Sequence, residues 1–138
     1  MTIFYVALAV LMFGIMITVH ELGHFVAARL TRIPVRAFAV GFGPALVKWT
    51  SKKHETEFAI RAIPMGGYCA FYGEDDIDGK YKDDPRNFGI HAVWRRFITV
   101  LMGAVMNLVL AFVVASLFYA LSGVPHITGP YTTRIMSV

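Results

Sequence analysis

The sequence has little charge, a single cysteine, and an N-terminal stretch without one charged side chain. Only 16% of its 138 residues are Asp, Glu, Lys or Arg, against 57% hydrophobic residues and a mean hydropathy of +0.58. Ordinary soluble domains carry about 25% charged residues, so this composition excludes that class and reads as a membrane protein. Cys69 stands alone, which excludes an internal disulfide and every Cys-rich zinc pattern. The formal net charge of +4 comes from scattered basic residues with acidic ones interleaved. No basic block marks a nucleic-acid partner. No basic residue precedes the first apolar run, so it lacks the n-region of a signal peptide and reads as a transmembrane helix kept in the mature chain.

Two apolar runs are present. Residues 2–19 are uncharged and the apolar character continues to Ala28, giving a helix of about 39 Å over residues 3–28. A bilayer core is about 30 Å thick, so this run spans it with some tilt. A second run extends over residues 97–121, anchored at one end by Trp94, Arg95 and Arg96, an indole and two cations suited to the membrane interface. Between the runs lie most of the polar residues. Twelve of the 13 basic residues fall between Arg29 and Arg96, so the positive-inside rule places residues 31–96 in the cytoplasm and both termini across the membrane.

The expected organisation is therefore a first transmembrane helix (1–30), a cytoplasmic, membrane-associated β-rich loop (31–96), a second transmembrane helix (97–121) and an extracytoplasmic tail (122–138). Within the loop, residues 35–40, 45–49, 56–63 and 65–71 read as short strands of a small antiparallel sheet. Gly41-Phe42-Gly43-Pro44, residues 51–55 and Pro64 punctuate them. The acidic run Glu74, Asp75, Asp76 and Asp78 reads as a solvated loop.

One motif interrupts the first run, His20-Glu21-Leu22-Gly23-His24. Side chains four apart share one helix face, so two imidazoles converge on a point where zinc takes nitrogen ligands at about 2.0–2.1 Å. Glu21 beside them is placed to accept a proton from an activated water. Hydrogen-bonded core histidines are the bland alternative, but three ionisable groups within five residues of a membrane span need a partner, and a metal supplies one.

Two further places bear on chemistry. In Pro64-Met65-Gly66-Gly67-Tyr68, the paired glycines either make a bulge or tight turn, or open a strand edge to a substrate strand. Helix rise from Arg29 and from Arg96 puts Asn107 at nearly the depth of His20, with Gly103 one turn earlier allowing close approach. The amide at that depth either binds a substrate peptide or oxyanion, or clasps the two helices together. His126 falls across the membrane from the motif, a poor place for a third ligand.

These residues, in this order, resemble the site-2 protease family, and more closely its RseP-like regulated intramembrane zinc metalloproteases, over about residues 3–122. The resemblance implies Zn2+ held by His20 and His24, Glu21 as the catalytic carboxylate, the loop hairpin as the element that receives substrate, and Asn107 and the Gly66-Gly67 pair as substrate-positioning groups. It implies a bacterial inner-membrane location and membrane-spanning substrates of the anti-sigma-factor or remnant-signal-peptide kind. Ala104 stands where the family commonly has Pro. Such proteases continue into PDZ domains and a further span whose aspartate is the third zinc ligand, so residues 131–138 are expected to begin a PDZ strand. The expected state is a truncated product, a fragment or one half of a split enzyme, with a C-terminal half supplying the third ligand. A non-catalytic membrane binding module and a metal transporter are the alternative functions.

Overall fold

Apolar side chains stand at nearly every position from Ile3 to Met16, on every side of a helix, so this segment has no polar face to turn to water. The computed structural model describes residues 1–75, 79 and 81–123. The polar loop's Asp76, Asp78 and Lys80, together with His126 and the expected PDZ strand, lie outside the described residues. The elements are α1 (Thr2–Thr31), β1 (Val35–Thr50), β2 (Glu57–Phe71), a short 3-10 turn (Phe88–Ile90) and α2 (Val93–Ser122). Both helices are 30 residues, long and apolar enough to cross a membrane, and their most apolar stretches are 6% and 11% buried within the chain. Neither is buried within the chain as a core helix is.

β1 and β2 pair antiparallel, and each is longer than the short strands expected. Gly41, Gly43 and Pro64 bend the strands rather than ending them. Residues 35–40 pair with 67–71, while residues 45–50 pair with 57–61 on the other side of the bend. Residues 37–40 also match residues 57–60, so each long strand serves as two short segments of one small sheet. The backbone explains the bends. Gly41 has φ 87° and Gly66 has φ 95°, the left-handed region that side chains disfavour. Arg61 locks the corner, donating to the Gly43 carbonyl at 2.7 Å and to the Tyr68 hydroxyl at 3.0 Å.

The sheet lies along α1 rather than beyond its end. Gly14 packs against the Pro64 carbonyl so closely that a Cβ there would clash, and Gly14 is 17 residues, about 25 Å, from the helix end. Nearer that end, Ala28, Ile33, Val35, Cys69 and Phe71 form the buried core, with Phe25, Phe38 and Phe88 against it. Arg32 closes α1 in the left-handed conformation at φ 61°. α2 starts four residues before the expected boundary, its first turn taking in the anchors Trp94 to Arg96.

The two helices meet through small residues, as closely packed apolar helices do. Gly23 lies against the Met102 carbonyl, and Gly103 lies against the imidazoles of His20 and His24. Thr31 and Thr99, both buried, face each other across the pair with hydroxyl oxygens 3.3 Å apart.

Candidate metal centre

The histidines sit on the α1 face that meets α2. One ligand atom from each of His20, Glu21 and His24 falls within 4.8 Å of the other two, and the three residues are half-buried. The orientation of each imidazole is set by α2. His24 Nδ1 lies 2.8 Å from the Thr99 carbonyl oxygen, which can only accept, so the proton is on Nδ1 and the Nε2 lone pair is free. That is the tautomer a metal ligand needs.

His20 Nδ1 lies 3.1 Å from the side-chain amide of Asn107, whose Oδ1 is buried without a partner among the described residues. The oxygen and nitrogen of an amide exchange places without moving a heavy-atom position. With Oδ1 toward His20, the amide accepts from Nδ1–H and His20 Nε2 is freed as well, the amide nitrogen then taking the position without a partner. Both Nε2 atoms lie beside Gly103: a Cβ placed there would stand 2.6 Å from that of His24 and 2.7 Å from that of His20. Two neutral nitrogens converging beside a carboxylate fit a tetrahedral N/O-binding cation such as zinc.

Glu21 is held from the sheet. The Cys69 backbone N–H donates to Glu21 Oε2 at 2.9 Å, fixing the carboxylate next to the imidazoles. Two residues on, the Phe71 N–H donates to Glu74 Oε2 at 3.2 Å. Side chains thus occupy two N–H groups of the β2 edge that faces α1. Burial, then the Glu21 and Glu74 carboxylates, push the Cys69 thiol up to about 12, so it is a protonated, inert neighbour at neutral pH.

Of the residues singled out from sequence, His20, Glu21 and His24 are brought together, and Asn107 stands beside His20 at the expected depth. Asn107 touches a histidine rather than lining open space, so its observed contact is that of an orienting group. Gly66 and Gly67 are elsewhere on the hairpin: Gly66 lies under the Phe42 ring and Gly67 against the Ala39 carbonyl. Gly66, at φ 95°, belongs to the bend, and Gly67 pairs with Val40 in the sheet. Sequence reading missed the Thr99 carbonyl and the Cys69 N–H. Main-chain atoms carry no residue-type signal, although threonines at 31 and 99 are a readable mark of helix contact.

The sequence profile of peptidase family M50 matches residues 8–136. The chain belongs to this family. A Clostridium acetobutylicum protein provisionally named a zinc metalloprotease is 43% identical over 111 residues, covering 80% of this chain and 31% of that protein. A similarly named Synechocystis protein is 46% identical over 99 residues, covering 72% and 26%, and one from Chlamydia trachomatis 36% identical over 143 residues, covering 98% and 23%. The chain thus spans under a third of the length of these M50 relatives. The residues matched by the family profile take in the histidine motif, both strands and α2.

Proposed function

We propose that this chain carries the zinc-binding and proton-transferring part of an intramembrane metalloendopeptidase. The observation that carries the reading is the convergence of His20 and His24 Nε2 beside Glu21, with both Nδ1 atoms engaged from α2. His20 and His24 would hold the metal. When bound, zinc supplies Lewis acidity toward a scissile carbonyl and acidifies water. Glu21 accepts the water proton and passes it to the leaving amine, its carboxylate steadied by the Cys69 N–H. Catalytic zinc sites commonly have three protein ligands. Among the described residues no further His, Cys, Asp or Glu joins the cluster, and the third ligand is assigned to another segment or a partner.

With α1 and α2 read as membrane spans, the hairpin bend beside Gly14 enters the bilayer and brings the β2 edge to the depth of the histidines. A membrane-spanning substrate, locally unwound, would lie along the sheet as an added strand, with Glu21 kept on the Cys69 N–H. Its class is a single-span protein of the anti-sigma-factor or remnant-signal-peptide kind. The basic residues between the helices favour a cytoplasmic side for the 31–96 segment of a bacterial inner-membrane protein.

Glu21→Gln tests the chemistry. The variant keeps an oxygen to accept from the Cys69 N–H and leaves both imidazoles, so zinc stays bound while cleavage of a membrane-spanning reporter by the protein is abolished. Turnover equal to the native protein sinks the proposed role of Glu21.

A further inference from the structure

Away from the histidines, the end of α1 and the turn between the strands enclose a cavity of about 450 Å³. That lies within the roughly 300–1,000 Å³ of small-molecule sites. Arg29 and Arg32 line it from the helix, Lys52 and Lys53 from the turn, and Arg86 from the loop before α2. Glu55 also lines it, and Arg86 is matched by that carboxylate and by Asp84 at 2.9 Å each. Among the described residues no carboxylate pairs with the other four. Arg29 stacks over Phe25 at 5.0 Å and reaches the Thr56 hydroxyl at 3.4 Å, and neither contact cancels its charge.

The last carbonyls of α1 do not oppose an anion strongly, because the Arg32 and Ile33 N–H groups cap those of Arg29 and Ala28. The field of the unmatched cations is felt at His54, on the same wall. Its ring is held below the usual histidine range by lost solvation and by the Arg29 and Lys53 charges.

The surroundings indicate what kind of anion. Leu22, Val26 and Leu30 are exposed apolar residues at four-residue spacing, a stripe along α1 that ends between the two arginines in sequence. A cationic cavity at the end of a helix that carries an apolar stripe suits a molecule with a phosphate at one end and hydrocarbon at the other.

We propose that this cavity binds the phosphate headgroup of an anionic phospholipid, seated among Arg29, Arg32, Lys52 and Lys53, with an acyl chain along Leu22, Val26 and Leu30. Arg29 is five residues from His24, about 8 Å along the helix. Headgroup binding therefore fixes the depth of the histidine pair below the membrane surface. The lipid source rests on reading α1 as a membrane span, as the proposed function does. Its test uses no proteolysis, so the two readings fail separately.

The test titrates the full chain in neutral detergent with short-chain phosphatidylglycerol, short-chain phosphatidylcholine and glycerol 3-phosphate, following the His54 ring resonances. Phosphatidylglycerol is expected to bind saturably and far more tightly than the other two. At about fivefold per cation near a membrane surface, Lys52→Gln with Lys53→Gln weakens it about 25-fold. Arg32→Asn, which tolerates the left-handed cap, weakens it about fivefold. Lys48→Gln, whose lysine pairs with Glu57 outside the cavity, leaves it unchanged. Equal binding of phosphatidylcholine, or native affinity in the double variant with its helical spectrum intact, overturns the site. Equal affinity for glycerol 3-phosphate overturns the lipid assignment in favour of free phosphate.

Discussion

Gly103→Ala adds one methyl group at the place where the two helices and the two imidazoles meet. Its Cβ would stand 2.6 Å from His24 Nε2 and 2.7 Å from His20 Nε2, well short of the 3.4 Å at which ordinary contact begins. Neither ring can swing aside freely, because His24 is tied to the Thr99 carbonyl and His20 to Asn107. Relief must come from parting α1 and α2 or from breaking those ties. Overpacking of this kind costs about 1–3 kcal/mol. The methyl also intrudes beside both Nε2 atoms, so zinc affinity should fall at least as far as on losing an orienting group, about 10–100-fold. A competition titration with a zinc chelator reads the affinity, and circular dichroism confirms that both helices persist. Native zinc affinity in a folded Gly103→Ala chain would refute the convergence on Nε2.

Asn107→Ala removes the partner of His20 Nδ1 without touching a ligand atom, and zinc affinity in the same titration should drop about 10–100-fold; an unchanged value would return Asn107 to substrate contact alone. Topology is open to cysteine-accessibility labelling in a Cys69→Ala background. Reagent added outside intact cells should miss a cysteine placed at Lys80 and reach one at Ser137, and the reverse pattern would invert the orientation drawn from charge.

Much of the centre was legible because helix geometry is regular. The four-residue spacing of His20 and His24 fixes a shared face, and counting rise from the basic anchors brings Asn107 level with His20, where the two side chains are in contact. The hairpin was harder to read, since Gly41 to Pro44 and Pro64 look like strand ends and prove to be bends within two long strands. A strand that bends can pair on both sides of the bend, and local composition does not reveal that. Least legible were the groups that steady the site through main-chain atoms, the Thr99 carbonyl and the Cys69 N–H. The position of the hairpin beside the middle of α1 turns on Gly14, an unremarked glycine in an apolar run whose missing side chain admits the Pro64 carbonyl.

Zinc stoichiometry of the purified 138-residue chain, measured with His24→Ala as control, bears most directly on the site. Two pre-oriented Nε2 atoms beside Glu21 predict close to one zinc per chain, lost when His24 is removed. A His24→Ala chain that keeps its zinc would contradict a metal held jointly by His20 and His24, whereas a native chain without zinc would mean that the pair does not close the site without the third ligand.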